Sequence, residues 1–118
     1  MTVPGIDIDV LLEATGNDRT IAAELMRLFF ELTGQEQARL ADAVAQGNHA
    51  AASAVAHKVA GSCVACGMSG IYARFKELEN LCKEAMPEDA RERIQAIDRE
   101  LQDARRNLEK YFNCTLVS

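Results

Sequence analysis

Residues 90–111 read ARERIQAIDRELQDARRNLEKY, and the spacing of their apolar positions decides the fold. Ala90, Ile94, Ile97, Leu101, Ala104, Leu108 and Tyr111 recur at alternating spacings of four and three, the seam of a helix packed at a shallow crossing angle against its neighbours. Apart from Ala96, charged and amide side chains fill the positions between, as a solvated face requires. Such a helix is held mainly by what covers its apolar seam, so the rest of the chain has to supply those partners.

Turn and cap signals upstream divide the sequence into segments that all read as helix. Pro87 suits the first turn of the last helix. Ser69 is placed to cap a helix bearing Ile71, Phe75, Leu78, Cys82 and Ala85. Before it, an alanine-rich helix runs from Ala50 to about Cys66, entered through the stop at Gly47 and the cap at Asn48 and ended by Gly67. A long helix capped by Asp18 precedes that, with Ile21, Leu25, Leu28, Leu32 and later Leu40 and Val44, most of them expected along one core stripe. A short helix from about Asp7 to Ala14 comes first and stops at Gly16-Asn17. No strand pattern competes. Four main helices with short connections predict an all-α fold, an antiparallel up-and-down four-helix bundle with a short additional N-terminal helix. The 118 residues, 48% of them hydrophobic, suit one domain over residues 1–118.

The net charge of −5 argues against nucleic acid and anionic membranes as partners. No basic segment followed by an apolar run opens the chain, and no apolar stretch approaches the roughly 18 residues that span a bilayer, so a cytoplasmic protein is expected. Four cysteines in such a chain are expected to be reduced.

The alanine-rich helix has two unlike faces. Ala52, Val55, Val59, Ser62, Cys63 and Cys66 cluster on the side expected to face the core. Nearly opposite, at about 100° per residue, lie His57, Ala50, Ser53, Ala54, Gly61 and Val64, a face unusually small and uncharged for solvent. Gly61 falls one turn after His57, so nothing on that helix covers the imidazole. An interior glycine costs a helix roughly 1 kcal/mol relative to alanine. Close approach by another body explains it, as does tight packing by a neighbouring helix, and a homodimer would also bury this face.

The segment His57-Lys58-Val59-Ala60-Gly61-Ser62, followed by Gly67 and by Leu78-Glu79, resembles the histidine-containing phosphotransfer (HPt) domains of multistep two-component signalling. Gly16-Asn17-Asp18, the helix with Phe29, Phe30 and Leu32, and the Ala45-Gln46-Gly47-Asn48 turn extend the likeness over nearly the whole chain. The resemblance implies a four-helix bundle in which His57 accepts a phosphoryl group from a receiver-domain aspartyl phosphate and passes it to another receiver. Its implied partners are response-regulator receiver domains and a hybrid sensor histidine kinase. The Mg²⁺ belongs to the receiver, so the chain itself needs no metal, cofactor or nucleotide and acts as a monomeric phosphocarrier without enzyme activity of its own. Glu79 stands where the family often places a residue that orients the imidazole. Where many members carry a lysine three residues after the histidine, this chain has Ala60. Lys58, Lys76 or Lys83 is then expected to supply the missing charge, at the rim of a contact face made by Ala50, Ser53, Ala54, Gly61 and Val64.

Two other readings compete. Cys63-Val64-Ala65-Cys66 has the spacing of a zinc or redox pair, but it sits inside a helix on the expected core face, away from the N-terminus where a thiol is activated. Cys82 also reads as core, and His49 as a surface residue. A helical adaptor that binds receivers without carrying phosphate would use the same small-residue face and would tolerate loss of the imidazole.

Overall fold

The first free amides of three helices are met by side chains that the sequence places just ahead of them. Asp7 accepts from Val10 N, Asp18 from Thr20 N and Ile21 N, and Asn48 from Ala51 N. The structure, a computed structural model, describes residues 3–116. Its helices are α1 (Ile8–Ala14), α2 (Arg19–Ala45), α3 (His49–Ala65), α4 (Ser69–Leu81) and α5 (Ala90–Phe112). α3 lies between α2 and α4, and α5 closes the ring by packing on both of those helices. The result is the antiparallel four-helix bundle with a short helix in front, 42 × 23 × 20 Å along its principal axes.

The seam of α5 is buried at Ala90, Ile94, Ile97, Leu101, Ala104 and Leu108, with Tyr111 half-buried. Facing it are Met26 and Leu40 of α2, Val59 and Cys63 of α3 and Phe75 and Leu78 of α4, all within one core.

α2 departs from the expected stripe. Ile21, Leu28 and Leu32 are about half exposed, whereas Ala22, Ala23, Met26, Phe29, Thr33, Glu36, Leu40 and Ala43 are buried. The first half of this helix is apolar around much of its circumference, so size alone does not choose a face. Eight residues separate Leu32 from Leu40, which at about 100° per residue sets them roughly 80° apart. The two leucines therefore belong to different stripes, and the inner one is that of Leu40. On α3 the buried arc is likewise shifted toward small residues. Ala56 and Ala60 are buried, Val55 is half-buried and Ser62 is exposed. A helix flanked on two sides buries a wide arc, and alanines let the flanking backbones come close.

Three local expectations also change. α5 starts at Ala90, and Pro87 stands in the preceding turn with its carbonyl accepting from Ala90 N. α4 has no side-chain cap; Ser69 is its first residue and its hydroxyl donates to Gly5 O. α4 also stops at Leu81, which leaves Ala85 exposed beyond the helix.

The turn from α3 to α4 is fixed by the N-terminal segment. Gly67 adopts φ +71°, its carbonyl accepts from Asp7 N at 2.7 Å, and a Cβ built on it would run into the Asp7 carbonyl. Gly5 O accepts from Gly70 N at 3.0 Å, one strand of chain lying flat on the turn. Gly67→Ala combines left-handed strain with that collision, so it is expected to destabilise the fold by about 2 kcal/mol or more. Urea unfolding should show this as a lower midpoint, and an unchanged midpoint would contradict the account of the turn.

Candidate functional site

Alanines along α3 bring α4 close enough for polar groups of the two helices to meet. Ser53 Oγ donates to the Glu79 carbonyl at 3.0 Å, and His49 Nδ1 bonds the Cys82 carbonyl at 2.8 Å. Between these ties and the far end of the helix, His57 projects outward with its side chain 71% exposed. Glu79 is buried beside it, at 7% exposure.

The imidazole Nδ1 of His57 lies 3.1 Å from Glu79 Oε2, and Lys76 Nζ donates to the other oxygen, Oε1, at 2.9 Å. The Lys76 hydrogen bond holds the Glu79 carboxyl below its ordinary value of 4.5, with the His57 bond adding to it against the opposing effect of burial. An ionised carboxylate only accepts hydrogen bonds, so Nδ1 carries the proton. The neutral ring then has its lone pair on Nε2. One turn on, a Cβ added to Gly61 would meet nothing within 4 Å. Packing by a neighbouring helix of this chain is thereby removed as the reason for the glycine.

The second lysine of the site is held from the opposite side. Lys58 Nζ donates to Glu36 Oε1 at 2.9 Å, and Arg39 Nη1 donates to the same oxygen at 2.6 Å. The Lys58 bond is also the main reason that Glu36 is held below its ordinary value. Glu36 comes from the inner stripe of α2 and was not among the residues singled out from sequence. Its signal there is a carboxylate set at helical spacing between Thr33 and Leu40, visible only once the correct stripe is chosen.

The other expected contact residues divide. Ala50, Ala54, Gly61 and Val64 are exposed, Val64 at 59%. Ser53 is half-buried, and its hydroxyl is engaged with α4. Lys83 falls past the end of α4, beside Cys82 at the His49 end, because the helix that would have set it one turn from Glu79 has already stopped. Sequence reasoning missed an apolar patch next to Gly61. Leu25, Leu28, Phe29, Leu32, Thr33, Ser62, Ala65 and Cys66 line a shallow groove of about 190 Å³ between α2 and α3. Cys63 and Cys66 point into the core, and burial pushes the Cys63 thiol up to about 12. Neither has the character of an activated thiol.

The family model of the Hpt domain matches residues 24–107, a span holding α3, α4 and most of α2 and α5. The chain belongs to the Hpt-domain family. Hpt domains are phosphocarrier modules of two-component systems and interact there with receiver domains and kinases. No curated protein and no solved structure gave a significant match. Among the described residues no helix is long and apolar enough to cross a membrane.

Because the folded-state value of Glu79 is depressed, the stability that its ion pairs contribute is present above pH 4.5 and is lost as pH falls through the lower value. Glu79→Gln is therefore expected to be less stable than the parent by about 0.5–1 kcal/mol near neutral pH, with the gap closing on acidification. Urea unfolding of both proteins across a pH series checks the sign, and a gap that widens in acid would contradict it.

Proposed function

We propose that this chain acts over its whole length as one phosphocarrier domain in a multistep phosphorelay, with His57 as the residue that carries the phosphoryl group. The observation that supports this most is the exposed imidazole whose Nδ1 is tied to the buried, ionised Glu79. In the reaction, the Nε2 lone pair attacks the phosphorus of a receiver's aspartyl phosphate. The P–O bond breaks, its electron pair returns to the receiver carboxylate, and the new N–P bond leaves a ring whose positive charge Glu79 stabilises. Transfer onward to a second receiver is the reverse of the same step.

Little covalent chemistry is asked of the carrier. Positioning and charge compensation dominate phosphoryl transfer, and Lys58 and Lys76 offer positive charge from the two sides of His57. The receiver brings its own Mg²⁺ and acceptor aspartate, so the chain requires no resident cofactor. Docking uses the small-residue face of α3 together with the apolar residues Leu28, Leu32 and Val64, a patch suited to transient association of a monomeric, cytoplasmic carrier with receivers and a hybrid kinase.

Incubation with a phosphorylated receiver domain and Mg²⁺ should add one acid-labile phosphoryl group, seen by mass and as a phosphoramidate ³¹P signal, and His57→Gln should acquire none. Absence of phosphorylation in both proteins, with receiver binding retained, would instead establish a phosphate-independent adaptor.

Gly61 allows a separation of stability from function. With open space around its added methyl, Gly61→Ala is expected to raise stability by roughly 0.4–1 kcal/mol. The same methyl stands where the receiver approaches, so transfer from the phosphorylated receiver should slow severalfold. A variant that is both more stable and equally fast would show that the glycine has no part in docking.

A further inference from the structure

Glu36 is a buried carboxylate in an otherwise mostly apolar stripe, and its two partners are both exposed cations. Its own side chain is 11% exposed, against 62% for Arg39 and 67% for Lys58. As a strut between α2 and α3 this arrangement has little to recommend it. Ion pairs with exposed partners contribute little stability, and an apolar residue at position 36 would pack the stripe without the desolvation of a charge. Arg39, on the same helix, already compensates Glu36 at 2.6 Å. What the carboxylate adds is a fixed anchor for the ammonium group of Lys58, the residue directly after His57.

The two helices that flank α3 then each hold a lysine in the same way, although only Glu79 also touches the imidazole. On the α4 side a buried glutamate, Glu79, holds Lys76 at 2.9 Å; on the α2 side a second buried glutamate, Glu36, holds Lys58 at 2.9 Å. A free lysine loses rotamer entropy when it is recruited to an anion, whereas one already tethered loses less. From this geometry we infer that Glu36 is a positioning residue for phosphoryl transfer, acting through Lys58 to keep a cation beside the group that arrives on Nε2. The inference rests on His57 being the phosphoacceptor.

The test compares the parent, Glu36→Gln, Lys58→Gln, the double variant and His57→Gln with two donors. One donor is a phosphorylated receiver domain with Mg²⁺. The other is phosphoramidate, too small to touch the docking face; its P–N bond breaks, the electron pair leaves with ammonia, and the His57 N–P bond forms. Glu36→Gln and Lys58→Gln should each slow phosphorylation about three- to tenfold with either donor, and the double variant should be no slower than the single ones. With the receiver, the loss should fall on the rate at saturation and leave the half-saturating concentration unchanged. Lys58→Gln alters only an exposed residue, so it probes the same contact even if the buried substitution perturbs folding.

Parent-like rates in Glu36→Gln would overturn the inference, as would a defect confined to the receiver donor or effects that multiply in the double variant. Failure of the phosphoacceptor reading looks different, since the parent would then take up no more phosphate than His57→Gln from either donor.

Discussion

A charged carboxylate kept out of water next to an exposed imidazole is the constraint around which α3 and α4 are arranged. Burial alone would drive Glu79 toward its neutral form, which would remove the acceptor that fixes the proton on Nδ1 of His57. Lys76 prevents this from within the same helix, and Ser53 ties the backbone of α4 at that level to α3. The close approach of the helices follows from Ala52, Ala56 and Ala60, which fill the buried arc of α3. Packing, ionisation and tautomer are thus one connected arrangement, and the nitrogen left with a lone pair is set by contacts made on the other side of the ring.

Much of this was legible in the residues themselves. α5 was readable because its apolar residues keep one spacing for its whole length while its other positions are strongly polar. The starts of α2 and α3 were readable from Asp18 and Asn48, whose side chains do local work that needs no tertiary context, whereas Asp7, expected within the first helix, is the cap of α1. His57 and Glu79 stood out as residues, and the structure brings them into contact, although that bond depends on the distance between two helices and could not be read from spacing.

The misplacement of α2 has an instructive cause. Ile21, Leu25, Leu28 and Leu32 form a regular stripe of large apolar residues, and regularity normally signals the core. Here it describes a second, outward stripe about a quarter turn from the buried one, and the break is recorded in the eight-residue step from Leu32 to Leu40. Choosing the outer stripe also concealed Glu36. A helix with two apolar faces carries information about both a core and an exposed surface, and single-sequence periodicity does not label which is which.

α3 is joined to its neighbours by three-residue turns, Gln46–Asn48 and Cys66–Met68, and each contains a glycine with positive φ. A rod held at both ends by short turns has little freedom to slide or tilt independently, so the His57 imidazole is presented at one height and angle. Among the described residues nothing covers the ring, whose side chain is 71% exposed. A partner docking on the proposed face would therefore cost this side of the interface little conformational entropy, and induced fit would fall to the molecule that comes to meet it. In the proposed role of His57, successive partners would meet the same rigid template, and one histidine would serve as a common exchange point without resetting its own shape between visits.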